Sequence, residues 1–127
     1  MNKQAIKFTI DLPPVSKKNS QQILRTRDGR PFIAPSKAYK RYEALAGWYL
    51  QGVRHIQINA PVNVKCLYYM PTQRRCDLTN LLEATDDVLV KYGVLADDHS
   101  GIIVSHDGSR VFYDKGRPRT EVEISFY

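Results

Sequence analysis

Apolar and polar residues alternate from Ala5 to Leu12, with Ile6, Phe8, Ile10 and Leu12 on one parity. A period of two predicts a half-buried strand. Pro13-Pro14 ends it, because proline cannot donate to a sheet ladder. The alternation returns from Val62 to Tyr69, and again from Thr120 to Tyr127, where Val122, Ile124 and Phe126 share a face. Gly101 to Asp107 is strand-like through Ile102, Ile103 and Val104. Ile23 to Ile33 predicts a hairpin whose turn is Arg27-Asp28-Gly29-Arg30.

Two stretches switch to a helical period. Ser36 is a candidate N-cap, after which Tyr39, Tyr42, Leu45, Ala46 and Tyr49 recur at helical spacing, with Lys37, Lys40 and Arg41 on another face. Aromatic rings can stack on nucleic-acid bases, but this stripe predicts core packing. In the second stretch Leu78, Leu81, Leu82, Thr85, Val88 and Leu89 form one apolar face, and Asn80, Glu83 and Asp87 gather opposite. Asp77 stands where an N-cap belongs, and Gly93 where a left-handed C′ residue does. Gly52 to Pro61 reads as a turn-rich connection, and Arg110 to Arg119 as a basic loop or hairpin tip. Four or five strands and two principal helices predict an α+β domain. Its sheet is expected to be mixed and mainly antiparallel, with both helices on one face. A length of 127 residues suits one such domain, residues 1–127.

Charge changes the picture. From Asp77 to Asp98 there are six acidic residues and one base, Lys91, in a chain of net charge +6. The remaining residues carry 18 basic and 7 acidic side chains. Carboxylates concentrated in a basic chain suit a metal-dependent enzyme acting on a polyanion, with basic residues on phosphates and carboxylates on Mg²⁺ or Mn²⁺. The competing reading makes Asn80, Glu83, Asp86 and Asp87 the solvated side of an amphipathic helix, Asp77 a cap, and Asp97-Asp98 a polar loop. Helix packing could instead bring Asp97-Asp98 back to the carboxylate face.

Other classes find little support. Cys66 and Cys76 make neither a disulfide framework nor a zinc site and read as reduced packing residues. His55, His99 and His106 lack metal-ligand spacing, and His99 is read as a surface residue. No apolar run approaches a membrane span and MNKQAIKF has no signal-peptide core, so a cytoplasmic protein without a membrane partner is expected. Lys17, Lys18 and Asn19 lie in a polar loop, either a linker or a phosphate-binding loop. Arg74 and Arg75 immediately precede Asp77, and Arg25, Arg27 and Arg30 make the hairpin a candidate DNA-contacting tongue.

Arg74-Arg75-Cys76-Asp77-Leu78-Thr79-Asn80-Leu81-Leu82-Glu83, followed by Asp87, Gly93 and Asp97-Asp98, resembles the RusA family of Holliday junction endonucleases. Leu12-Pro13-Pro14, Asn19, Gly29-Arg30, Ser36 and Tyr39 extend the resemblance from about Phe8 to the C-terminus. It implies a Mg²⁺-dependent endonuclease acting on four-way DNA junctions as a homodimer, with Asp77 and Asp98 as acidic metal-binding residues. Two positions depart from the pattern: Thr79 stands where a third catalytic aspartate is usual, and Glu83 where a lysine is usual. Glu83 is expected to restore the missing carboxylate, giving a catalytic set of Asp77, Glu83 and Asp98, with Asp87 as a further metal ligand. Lys17, Lys18, Asn19, Arg74 and Arg75 are the expected nucleic-acid contacts. Two alternatives stay open, a junction-binding protein that does not cut and a metal-dependent nuclease for RNA or another branched DNA.

Overall fold

The computed structural model describes residues 5–17, 22–34 and 37–127, apart from the side chains at 22, 23, 33 and 34. The predicted first strand is β1 (Ala5–Ile10), and the hairpin is β2 (Gln22–Arg25) and β3 (Pro31–Ala34). Helix α1 (Lys37–Tyr49), strand β4 (Val62–Met70) and helix α2 (Leu78–Lys91) follow. Strands β5 (Ile103–Ser105), β6 (Arg110–Tyr113) and β7 (Arg119–Phe126) complete the chain. The expected cap at Ser36 lies outside the described residues.

The main sheet has five strands. Strand β7 pairs antiparallel with β1 on one side, Phe8 opposite Val122, and with β4 on the other, Cys66 opposite Val122. The free edge of β4 is shared. Strand β5 pairs parallel with its beginning at Val62 and Asn63, and β6 pairs parallel with its end from Leu67 to Met70. Hairpin β2–β3 forms a separate two-stranded sheet. The fold is α+β with a mixed, mostly antiparallel sheet, as the periodicity predicts.

Alternation decides which face is covered. Val62, Val64, Cys66 and Tyr68 of β4 and Val122 and Ile124 of β7 join Tyr42 and Ala46 of α1 and Leu81, Leu82, Val88 and Leu89 of α2 in one core. Both helices therefore lie on the same face. The Tyr68 hydroxyl lies 2.7 Å from Thr85 Oγ1, which fixes α2 on β4 inside the apolar layer. The helices also hold each other. Tyr92 Oη donates to the Glu43 carbonyl at 2.7 Å, and its ring fills the space beside Gly47, where an added Cβ would come within 2.6 Å.

Among the described residues no helix covers the opposite face of the sheet. Lys7, Thr9, Lys65, Leu67, Glu121 and Glu123 surround a shallow concavity of about 360 Å³. Nearby, Tyr69 stacks on Phe112 at 5.1 Å, with Arg119 over the tyrosine at 3.8 Å and Arg110 over the phenylalanine at 5.2 Å.

Three sequence expectations change. Arg110–Tyr113 is a strand rather than part of a loop, because the end of β4 offers a free parallel edge. Arg119 and Arg117 are not free basic side chains: Arg119 binds Asp114 at 2.9 Å and Glu121 at 2.8 Å, and Arg117 binds Asp11 at 3.2 Å. The aromatic stripe of α1 divides. Tyr39, Tyr42 and Ala46 are buried, whereas Leu45, Tyr49 and the neighbouring Trp48 are exposed, Trp48 by 70%. The helix turns only a narrow stripe towards the sheet, and residues one position off it face outwards.

Candidate active site

Helix α2 begins where the loop after β4 turns back over the sheet, and Asp77 makes that turn. Its extended backbone and carboxylate cap the helix. Oδ1 accepts from Thr79 N at 3.0 Å, from Asn80 N at 3.4 Å and from the Thr79 hydroxyl at 2.5 Å. An anionic cap at a helix N-terminus satisfies orphan amides and the helix dipole together. Asp77 lines an open depression with Arg75, Cys76, Leu78 and Asn80.

One turn further on, a second depression of about 240 Å³ is lined by Thr79, Leu82, Glu83, Asp86, Asp98 and His106. Thr79, Glu83 and Asp86 recur at helical spacings of four and three, which set them along one side of α2. Gly93 bends the chain back after α2 with φ +71°, and an added Cβ there would lie 2.7 Å from Gln57 Nε2. The segment beyond it carries Asp98 to the cleft. Asp97 Oδ1 accepts from Asp98 N at 2.7 Å, so the first of these two acids shapes the loop and the second lines the cleft.

The structure therefore groups Glu83 with Asp98, and links Asp77 to them through the Thr79 hydroxyl. Asp87 is turned elsewhere, with its carboxylate 2.6 Å from Lys17 Nζ. Lys17 also lies 5.4 Å from the centre of the Tyr39 ring, so the loop after Pro14 touches both α1 and α2. Arg75 is exposed beside Asp77. Arg74 lines another depression, with Met70, Val111 and Tyr113. Lys18 and Asn19 lie outside the described residues.

Asp86 and His106 escaped the sequence reading as site residues. Asp86 is not part of a solvated face: it is 8% exposed, and its two oxygens lie 3.1 and 2.9 Å from His106 Nε2. Burial raises the Asp86 carboxyl, and the bond to His106 partly offsets this. The same hydrogen bond raises His106 above its ordinary value, against the pull of burial. The hydrogen bond thus favours the protonated imidazole. The spacing of Asp86 from Thr79 and Glu83 could have revealed the carboxylate. Its contact with His106 spans 20 residues and left no local signal. His99 does not line this cleft; its Nδ1 accepts from Gly101 N at 3.0 Å. Cys66 is a packing residue whose thiol burial pushes up to about 12.

Carboxylate oxygens are the donors a hard divalent cation takes. Among the described residues no three His, Cys, Asp or Glu side chains stand together as a complete metal cage. Mg²⁺ does not need one: it keeps several waters and takes one or two carboxylates plus substrate phosphates. Glu83 and Asp98 on one cleft fit that requirement.

An acidic cleft in a basic α+β domain is the equipment of a nucleic-acid hydrolase. The sequence profile of the endodeoxyribonuclease RusA family matches residues 11–125, and the chain belongs to that family. No curated protein sequence matches the chain. Among the described residues no helix is long and apolar enough to cross a membrane.

Proposed function

We propose that this chain is a Mg²⁺-dependent endonuclease that hydrolyses phosphodiester bonds at four-way DNA junctions, as a cytoplasmic homodimer serving recombination and repair. The observation that carries the reading is the meeting of Glu83 and Asp98 in one cleft of a family of endodeoxyribonucleases, in a chain of net charge +6. Glu83 and Asp98 would hold the ion, with Asp77 reaching it from the adjoining depression. Bound Mg²⁺, or Mn²⁺ in its place, supplies an acidified water and offsets charge developing on the phosphate. Arg74, Arg75 and the loop of Lys17, Lys18 and Asn19 would contact flanking phosphates, which positions DNA without reading sequence. Asp87 would act by placing Lys17.

A homodimer is supported by the apolar stripe on α1, where Leu45, Trp48 and Tyr49 are 37%, 70% and 40% exposed. A two-fold dimer offers two identical clefts to two symmetry-related junction strands. Sedimentation should give twice the chain mass, and Trp48→Glu should halve it. A monomer with full resolving activity would overturn the dimer.

The deciding experiment incubates labelled four-way junction, linear duplex and RNA with the protein, with and without Mg²⁺. Paired cuts in the junction alone, dependent on the metal, are expected. Tight junction binding without cutting would instead establish a non-catalytic binding protein. That reading draws on Thr79, whose hydroxyl stands on the cleft where a third carboxylate would be usual.

A further inference from the structure

The cleft poses an electrostatic problem. Glu83, Asp86 and Asp98 all line it, and a phosphodiester entering it is itself an anion. A metal held by Glu83 and Asp98 answers part of the repulsion but not the charge of Asp86. His106 is the one basic side chain lining the cleft among the described residues.

Its geometry is specific. Both oxygens of a buried carboxylate lie at hydrogen-bonding distance from Nε2, so Nε2 carries a hydrogen and the ring is fixed in one orientation. Among the described residues Nδ1 has no hydrogen-bond partner. The imidazole side chain is 28% exposed and the Asp86 side chain 12%, so the histidine is the outer member of the pair. A pair serving only stability would be a weak device, since buried ion pairs commonly do no better than apolar residues of equal volume. A protonated His106 at the wall of that cleft would meet an entering phosphodiester with positive charge.

We infer that His106, oriented by Asp86, is the cationic contact for the scissile phosphate, with Nδ1–H donating to a non-bridging oxygen. His106 is then a catalytic residue, because it touches the reacting group. Asp86 is a positioning residue that acts through it. The inference rests on the nuclease reading and adds a second source of positive charge beside the metal.

His106→Gln tests it, because the glutamine amide can still donate to Asp86 while the positive charge is gone. Single-turnover cleavage of labelled junction at saturating Mg²⁺ should slow roughly 100-fold, the usual loss for one preorganised transition-state donor. Junction affinity should change far less. Asp86→Asn should slow the wild type, yet slow His106→Gln no further, since coupled residues are not additive. A His106→Gln enzyme at wild-type rate overturns the contact. An Asp86→Asn effect that persists undiminished on the His106→Gln background overturns the positioning role. A second readout needs no cleavage: in EDTA, adding junction to ¹⁵N-histidine-labelled wild-type protein should shift the His106 Nδ1 resonance. An unmoved resonance overturns the contact. If the wild type cuts no junction, the nuclease reading falls, and this titration alone judges the contact.

Discussion

Two depressions flank the start of α2, and opposite chemistry builds them. In the first, Asp77 already answers the helix's own amides and has Arg75 beside it, so its charge is stabilised before any ligand arrives. In the second, Glu83, Asp86 and Asp98 line one cleft with Leu82 and a single histidine. An entering cation gains least where an acid is already satisfied and most where acids repel one another. On the proposed function the second depression is the stronger ion trap, with Asp77 joined to it by the Thr79 hydroxyl.

Substitutions can break or sharpen that contrast. The largest effect belongs to Asp98→Asn, which should reduce single-turnover junction cleavage by about 1000-fold, at the upper end for losing one electrostatic group. Junction binding should hold or tighten, because a negative charge facing DNA has gone. Asp77→Asn should cost about 100-fold and leave the melting temperature unchanged, since asparagine caps a helix as well as aspartate does. Asp77→Ala should add a loss of about 1 kcal/mol in stability through the missing cap. Wild-type turnover by Asp77→Asn would confine the chemistry to the second depression. Glu83→Gln is expected to slow cleavage roughly 100-fold and to raise the Mg²⁺ needed for half-maximal rate. An unchanged metal titration would remove Glu83 from the ligand set.

The smallest effect is on stability. His106 is raised above 6.5 in the folded chain, so its contribution is complete below that pH and is lost as pH climbs through the folded value. Asp86, raised above 3.8, loses its contribution in the same direction but from a lower pH. Thermal melts between about pH 6 and 8 should show stability falling with pH, and His106→Gln should flatten that fall. A slope that survives the substitution would assign it to another group.

Strand periodicity in β1, β4 and β7 was legible because each has one face in the core and one outside it, and Asp77 and Gly93 marked the ends of α2 through local backbone chemistry. The pairing of β6 was not legible: Arg110–Tyr113 is short and mostly exposed, so the free edge of β4 is what makes it a strand. In the site, the carboxylates were visible as charge, and the resemblance picked out Asp77 and Asp98. The sorting of acids among separate surroundings was not visible. Asp87 meets Lys17 and Asp86 meets His106 only after α2 has packed, and adjacent positions on a helix point about 100° apart.

The position of β7 between β1 and β4 has a consequence for synthesis. Residues 5–10 and 62–70 share no paired strand until residues 119–126 have been made. Before then the nascent chain holds two helices and two long strands whose β7-facing edges have no partner, a species prone to pair with other chains.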